Sequence, residues 1–206
     1  MSPSSDPVQG RIALITGANT GIGLITAKEL CRIGARVFIA CRSSASGEAA
    51  VSAIKAAVPN AQVELLSLDL GDLESVRRCA SNFLAKGLPL HLLINNAGLA
   101  GGKGMTTSGF ELAFGTNHIG HFLLVQLLLE RLKASAPARV VTVASRAHYR
   151  TPAWDWTVLE KPTQSLTGLA EYSVSKLANV LFSAELAKRL QGTGVTTYSL
   201  HPGVVA

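Results

Sequence analysis

Six short apolar runs with strand character alternate with stretches of helical character along most of this chain. The runs cover residues 12–16, 36–41, 63–68, 91–94, 139–143 and 195–200. Such alternation is typical of a parallel sheet whose strands are joined by crossover helices. The runs ALIT and VVTV are continuously apolar, which predicts strands that helices bury on both faces. We therefore expect an α/β fold with a Rossmann-like, doubly wound parallel sheet and helices on both faces.

The helices are delimited in the sequence by glycine, proline and capping residues. They are expected from the first turn to residue 33 and over residues 46–57, 72–86, 108–132 and 172–190. Gly34 ends the first helix, as a C-terminal glycine commonly does. Asp72 is expected to cap the third, because aspartate accepts hydrogen bonds from the free amides of a first turn.

The length of 206 residues suits one α/β domain with a sizeable core and is too small for two ordinary domains. We expect a polar N-terminal tail over residues 1–10 and a single domain over residues 11–206. The chain stops directly after the predicted sixth strand. This looks like the end of a fragment, a truncated isoform or a shortened protein, so the domain is expected to be incomplete at its C terminus.

The net charge of +6 is compatible with nucleic acid, membrane headgroups or a phosphorylated cofactor as a partner. Because no Lys/Arg cluster is longer than two residues, we interpret the surface as scattered basic charge and expect no nucleic-acid binding. The polar N terminus is not a secretory signal, and the longest apolar run, 122–129, is too short to span a membrane. We expect no transmembrane segment and a cytoplasmic location, with peripheral membrane association as an alternative. The three cysteines are expected to be free thiols.

A glycine-rich turn follows the first strand, Thr16-Gly17-Ala18-Asn19-Thr20-Gly21-Ile22-Gly23, and a helix begins inside it. Glycine allows the backbone to turn sharply and to approach a pyrophosphate without a Cβ clash. The helix N terminus offers unpaired N–H groups to the phosphates. The spacing is GxxxGxG rather than the common GxGxxG, and an ordinary turn between strand and helix is the alternative. Its place between an apolar strand and a helix favours a dinucleotide site.

The end of the second strand reads Ala40-Cys41-Arg42-Ser43 and carries no carboxylate. Sites for NAD usually have an Asp or Glu there, which holds the ribose hydroxyls. Arg42 could instead bind a 2′-phosphate through charge-assisted hydrogen bonds. We therefore expect NADP(H) as the cofactor; the alternative is a surface arginine that begins a loop.

Tyr172 and Lys176 are four residues apart in a predicted helix, so they lie on one face. A cation one turn away favours the phenolate, so such a tyrosine can exchange a proton with a carbonyl oxygen near neutral pH. YxxxK alone is common on solvated helices, and a second set of residues supports the catalytic interpretation.

That second set lies at predicted strand ends. Ser145 follows the fifth strand, Asn95-Asn96-Ala97-Gly98 follows the fourth, and Asp69 ends the third. Ligands bind at this carboxyl edge in doubly wound sheets. With Asn117 in the long helical region, we expect these groups to converge on one crevice.

TGxxxGIG, NNAG, a helical Asn, a Ser after the fifth strand, YxxxK and a PG turn occur in this order. Together they resemble the classical short-chain dehydrogenase/reductase family, over essentially the whole chain from residue 11. GANTGIG, ACRS, HLLINNAG, NHIGHFLL, LLLERLKASAPARVV and SKLANVLF look like the retinol dehydrogenase/retinal reductase group within that family.

The resemblance implies a role for each motif residue. Tyr172 would be the general acid in reduction and the base in oxidation, and Lys176 would favour its ionised form and hold the nicotinamide ribose. Ser145 would hydrogen-bond the substrate oxygen. Asn117 would anchor a water that links Lys176 to solvent. The other implied cofactor contacts are Gly17, Asn19, Thr20, Gly21, Ile22 and Gly23 at the pyrophosphate and ribose, Asp69 and Leu70 at the adenine, Asn96, Ala97 and Gly98 at the adenosine ribose, and Pro202 and Gly203 at the nicotinamide.

The function implied is an NADP(H)-dependent oxidoreductase that interconverts a hydrophobic aldehyde or ketone, such as a retinal-like compound, and its alcohol. Family members continue past the PG turn with a lid over the substrate and one more strand, so we expect this chain to lack both. The alternative is a truncated, non-catalytic isoform or fragment that binds at most NADP(H) or a protein partner. The apolar face over residues 122–129 is interpreted as a homodimer interface, which resembling enzymes often have, or as core.

Two further observations stay secondary. His118 and His121 are interpreted as ordinary helix residues, because a metal site needs more ligands than this pair. Trp154 and Trp156 lie between Ser145 and the catalytic helix, and they either wall an apolar substrate site or pack the loop.

Overall fold

A six-stranded, fully parallel sheet organises the computed structural model, which describes residues 8–151 and 155–203. The strands are β1 (Ile12–Thr16), β2 (Arg36–Cys41), β3 (Gln62–Ser67), β4 (Leu92–Asn95), β5 (Ala138–Val143) and β6 (Val195–Leu200). Their order across the sheet is β3-β2-β1-β4-β5-β6. The order reverses between β1 and β4, and this reversal opens a crevice at the carboxyl edge, as the doubly wound prediction requires.

Five longer helical segments connect the strands. They are α1 (Gly21–Arg32), α2 (Ser44–Ala57), α3 (Leu73–Leu84), α4 (Leu112–Ala134) and α5 (Leu169–Arg189). Two short 3₁₀ helices, Arg146–Arg150 and Trp156–Glu160, lie in the connection between β5 and α5, and the sequence analysis missed both. Asp72 caps α3 as predicted, since its side chain accepts a hydrogen bond from the Glu74 amide.

Helix α4 is not uniform along its length. An α-helical turn, Leu112–Phe114, passes into a π-helical stretch, Gly115–Ile119, and then into the α-helix Gly120–Ala134. Single π-helical turns inside α-helices are rare and frequently occur at functional sites. This turn contains Asn117.

Each face of the sheet has its own apolar core. One core joins β1, β2 and β4 to α1 and α2, and Ile15, Val37 and Ile54 are fully buried within it. The other joins the sheet to α3, α4 and α5, with Leu14, Phe83 and Leu128 at its centre. Val8 packs against the first core, and the Gly10 amide donates to the Gly34 carbonyl. Two residues assigned to the tail, Val8 and Gly10, therefore contact the domain.

The prediction that VVTV is buried on both faces is wrong. In β5, Val141 and Val143 are only half-buried, although the β1 residues are buried throughout. Among the described residues, α1 and α2 pack against β1, β2 and β3, and neither covers β5 or β6. Tyr198 and Leu200 of β6 are accordingly 49% and 45% exposed.

The longest apolar segment of the described chain is helix α4, which is longer than the run over residues 122–129 identified from the sequence. Over Leu112–Ala134 it is long and apolar enough to cross a membrane by length and composition, although a core helix passes the same test. Half of the relevant stretch is buried inside the domain. The apolar run over residues 122–129 is only the central part of this segment.

Candidate active site

A crevice of about 730 Å³ lies at the carboxyl edge of the sheet. This volume is in the range of small-molecule and cofactor sites. Every predicted cofactor-binding residue lines it, as do the predicted catalytic residues Tyr172, Lys176 and Ser145. Asn117 lies directly behind its wall. The structure thus brings together residues that the chain separates by up to 186 positions, from Gly17 to Gly203.

The turn between β1 and α1 has the features of a phosphate cradle. Gly17 has a φ of +65°, and a Cβ there would meet the Ala97 Cα at 2.8 Å. A Cβ on Gly23 would lie 2.5 Å from the Gly17 carbonyl oxygen. No side chain caps the N terminus of α1, where Thr20 is the N-cap residue, and its first turn has no acidic residue. The free amides therefore remain available to an anion.

The loop after β4 is hydrogen-bonded to Thr16, which directly precedes this turn. The Asn96 and Ala97 amides both donate to the Thr16 hydroxyl at 3.0 Å, and the Asn96 side-chain amide donates to the Thr16 carbonyl at 2.8 Å. The conformation of the loop at residues 96–98 therefore depends directly on the end of β1. Thr16 itself was assigned no role in the sequence analysis beyond ending a strand.

Arg42 and Ser43 lie at the end of β2, where the crevice meets the N terminus of α2. Arg42 is exposed, and Ser43 caps α2 by accepting a hydrogen bond from the Ser46 amide. Asn19 of the glycine turn donates to the Ser46 hydroxyl at 3.1 Å, which closes the space between the two loops. Asp69 is the only acidic side chain among the described lining residues, and its carboxylate accepts a hydrogen bond from the Gly71 amide.

Tyr172 and Lys176 face the crevice from one side of α5, as predicted from their spacing. Lys176 is 4% exposed, and its Nζ donates to the Val143 carbonyl at 2.8 Å. Burial lowers the pKa of Lys176 to about 8. The same ammonium lies 5.7 Å from the centre of the Tyr172 ring. A cation is therefore held beside the tyrosine without a carboxylate partner within the described residues.

Ser145 is oriented by the turn that it caps. Its Oγ accepts a hydrogen bond from the Ala147 amide at 3.2 Å, which leaves the hydroxyl proton free to point elsewhere. His148 contacts the Ser145 carbonyl at 2.6 Å, and Thr151 is hydrogen-bonded to the carbonyls of His148 and Ser173. The serine is thereby tied to the helix that carries Tyr172.

Asn117 is engaged by protein groups on every side. Its side-chain amide pairs with both backbone groups of Leu99 and donates to the Ser175 hydroxyl at 3.0 Å. Its main-chain carbonyl contacts His121 at 2.9 Å and accepts from Asn179 at 3.2 Å. Both lone pairs of that carbonyl are used, so a water bound there would have to displace one of these donors. Water anchoring by Asn117 stays a prediction.

Four groups of this network were missed or undervalued. Thr16 belongs to TGxxxGIG, and Ser175 and Asn179 lie within SKLANVLF, but their roles depend on contacts between distant segments that the motifs do not indicate. His121 was interpreted as an ordinary helix residue, and within the described part of the chain no cluster of metal-ligating residues contradicts that. Cys31, Cys41 and Cys79 are free and buried, as expected. Trp154 lies outside the described residues, whereas Trp156 is 68% exposed.

Comparison with known proteins gives concordant results. The family model described as short chain dehydrogenase matches residues 11–156. Retinol dehydrogenase 12 of Homo sapiens is 56% identical over 199 residues, which cover 95% of this chain and 62% of that protein. The chain therefore spans less than two thirds of the length of this curated relative.

Solved structures show the same fold. An uncharacterized protein from Mycobacterium Paratuberculosis is 41% identical with a TM-score of 0.81, covering 97% of this chain and 70% of its own. The RhlG/NADP complex of Pseudomonas aeruginosa is 29% identical with a TM-score of 0.79, covering 100% and 77%. A short chain dehydrogenase/reductase from Burkholderia phymatum in complex with NAD is 25% identical with a TM-score of 0.75, covering 95% and 66%.

Proposed function

This chain belongs to the short chain dehydrogenase family, and from that premise we propose that it interconverts a hydrophobic aldehyde or ketone and its alcohol with NADP(H). The observation that carries the proposal is the shared crevice. Tyr172, Lys176 and Ser145 line the same cavity as the glycine turn with its uncapped helix N terminus. The second candidate, a protein that binds the nucleotide without turnover, is an outcome of the test below.

The residues present fit a dinucleotide. The positions at which a Cβ would clash, Gly17 and Gly23, are those where the backbone must come close to a pyrophosphate. The crevice extends from Arg42 at one end to Pro202 and Gly203 at the other. When bound, the nicotinamide supplies or accepts the hydride of the reaction.

The chain's own groups handle the proton and the oxygen. In reduction, the Tyr172 hydroxyl donates a proton to the carbonyl oxygen, and in oxidation the phenolate takes it back. The Ser145 hydroxyl donates a hydrogen bond to the same oxygen, because the Ala147 amide occupies only one lone pair of Oγ and leaves the hydroxyl proton available. Lys176 stabilises the negative charge on the phenolate from within a buried site.

NADP(H) rather than NAD(H) is favoured by the charge at the end of β2. Arg42 is exposed at the crevice, and no carboxylate lies beside it among the lining residues at the ends of β2 and α2. The Ser43 hydroxyl, whose oxygen accepts a hydrogen bond from the Ser46 amide, still has its proton to donate to a 2′-phosphate. Since similar structures have been solved with NADP and with NAD, the preference depends on these residues of the chain itself.

The substrate class is proposed from the relatives. The name retinol dehydrogenase 12 states a long apolar alcohol as the substrate of that protein. Leu99, Ala100 and Val143 supply apolar surface in the part of the crevice that also contains Ser145. We therefore propose apolar aldehydes and ketones, with retinal as the first compound to assay.

Thermal unfolding with NADPH and with NADH, followed by a spectrophotometric assay of NADPH oxidation with retinal and with acetaldehyde, tests the proposal. A ligand at 100 times its dissociation constant stabilises the native state by about 2.7 kcal/mol. We expect such a shift with NADPH, a smaller one with NADH, and turnover of retinal well above that of acetaldehyde. A shift without turnover of any carbonyl would support the non-catalytic alternative, and no shift with either nucleotide would contradict the proposal.

A further inference from the structure

A closed ring of hydrogen bonds lies beneath the crevice, and His121 completes it. His121 Nε2 is 2.8 Å from the Thr16 hydroxyl, and His121 Nδ1 is 2.9 Å from the Asn117 carbonyl oxygen. The Thr16 hydroxyl receives the Asn96 and Ala97 amides, and the Asn117 side chain holds both backbone groups of Leu99. The loop over 96–99, which lines the crevice, is therefore held at both ends by groups that His121 connects.

The direction of every proton in this ring follows from the chemistry of its members. The Asn117 carbonyl only accepts, so His121 Nδ1 carries the proton and donates it. His121 Nε2 is then an acceptor, so the Thr16 hydroxyl donates to it. Because its proton is committed to the imidazole, the Thr16 oxygen presents its lone pairs to the Asn96 and Ala97 amides. The ring requires a neutral imidazole with one donor and one acceptor.

The surroundings keep the imidazole in that state. His121 is 2% exposed, and Thr16 is 0% exposed. Burial lowers the pKa of His121 to about 3, so the ring nitrogen that faces Thr16 remains an acceptor throughout the neutral range. Both ring nitrogens are paired, and their partners belong to two separate elements, β1 and the π-helical turn of α4.

We propose that His121 is a positioning residue, which holds the glycine turn, the loop over 96–99 and the π-helical turn of α4 in one register. The proposal rests on the proposed function for its effect on catalysis, although the ring itself does not depend on any ligand. A small displacement of a positioning group can reduce turnover by about 10²-fold, because the reacting groups lose their alignment. His121 touches neither substrate nor cofactor in this role and acts through Thr16 and Asn117.

Three variants and a matched control separate positioning from simple packing. His121→Leu removes both hydrogen bonds, Thr16→Val removes the hydroxyl from the other side, and His121→Gln keeps one donor and one acceptor. His91→Leu is the control, because the Ile12 amide donates to His91 Nδ1 at 3.0 Å at the opposite end of β1. Both histidines therefore pair with the backbone or side chain of the same strand, but only His121 belongs to the ring.

Peptide-resolved hydrogen exchange on the cofactor-free chain gives the first measurement. We expect His121→Leu and Thr16→Val each to raise exchange over residues 96–99 and 115–121 by 10-fold or more, and the double variant to be no worse than the worse single one. His91→Leu should leave these segments unchanged. Unchanged exchange in both single variants, or strictly additive effects, would overturn the proposal. If His121→Leu fails to fold, Thr16→Val tests the same bond.

Steady-state kinetics at saturating NADPH gives the second measurement. We expect kcat to fall at least 10-fold in His121→Leu with less than a twofold change in the KM for the carbonyl, and to recover substantially in His121→Gln. If His121→Leu and His91→Leu lower the Tm equally and leave kcat unchanged, His121 serves only in packing and the proposal is wrong. A wild-type chain without any turnover would contradict the proposed function, while the exchange measurement would still decide whether the ring exists.

Discussion

Lys176 Nζ donates a hydrogen bond to the main-chain carbonyl of Val143, 2.8 Å away, and this bond joins helix α5 to the end of β5. The ammonium is almost completely buried, and the lowered pKa of about 8 shows that its charge is costly there. A group that weakens the fold in this way is typical of an active site, where function and stability oppose each other.

Lys176→Met should therefore stabilise the cofactor-free chain and abolish turnover. A fall in pKa from 10.5 to about 8 corresponds to a penalty of about 3 kcal/mol at pH 7. The unfolded chain binds more protons than the folded one between those values, so the penalty shrinks as pH rises through this window. Chemical denaturation measures the free energy of unfolding of both chains. The gain of Lys176→Met over wild type should fall at pH 9.5 to roughly half of its value at pH 7. A variant less stable than wild type at pH 7 would contradict this account.

Tyr172→Phe should remove the proton donor and leave the nucleotide site intact. General acid–base catalysis contributes about 10²- to 10⁴-fold, so kcat should fall by that factor. The NADPH-induced rise in Tm should be unchanged. Tyr198→Phe is the matched control, since Tyr198 lies on β6 and its ring, which stacks with Arg139, is retained. Near wild-type turnover in Tyr172→Phe would exclude the proposed acid.

Arg42→Asp should reverse the preference between the two nucleotides. A carboxylate at the end of β2 repels a 2′-phosphate and can accept hydrogen bonds from the ribose hydroxyls of NADH. We expect the dissociation constant for NADPH to rise by 10-fold or more, measured by titration calorimetry, with NADH binding unchanged or improved. Arg77→Asp on the remote helix α3 controls for the altered net charge. Retained preference for NADPH would show that another group reads the 2′-phosphate.

Gly17→Ala and Gly87→Ala should impose similar backbone strain, but they differ in the space that is available for the new Cβ. Their φ values are +65° and +67°, so both variants should lose about 1 kcal/mol from left-handed strain. Only at Gly17 would the new Cβ also meet Ala97, at 2.8 Å from its Cα, whereas nothing lies within 4 Å at Gly87. Gly17→Ala should lose more stability and most of the NADPH-induced Tm shift. Equal behaviour of the two variants would show that the turn tolerates the clash.

The sheet and the outline of the crevice could be predicted because strand ends carry the motif residues. The apolar runs at β1, β2 and β4 are buried, so their boundaries are marked clearly by the polar residues that follow. The residues after them, Gly17, Arg42 and Asn96, then necessarily meet at one edge of a parallel sheet. These three residues line a single cavity, whereas Asn95 and Asn117 are not among its lining residues.

The π-helical turn around Asn117 could not be predicted from the sequence. The segment from Leu112 onward has a helical pattern without proline, and its glycines, Gly115 and Gly120, do not by themselves indicate a π-helical turn. The turn coincides with pairing between Asn117 and the backbone of Leu99, 18 residues earlier, a contact that no local periodicity encodes. The overestimated burial of β5 has the same origin, because coverage of a strand depends on where distant helices pack.

The hydroxyl of Thr16 serves as donor to His121 and as acceptor for two amides of the neighbouring loop. Such sharing constrains how this site can change over evolutionary time. Replacing Thr16 by an apolar residue would leave one imidazole nitrogen without a partner, and replacing His121 alone would leave a hydroxyl proton without an acceptor, so each single change should be disfavoured. Positions 16 and 121 should therefore covary among homologous sequences: hydroxyl residues with histidine or an amide, and apolar residues with apolar ones.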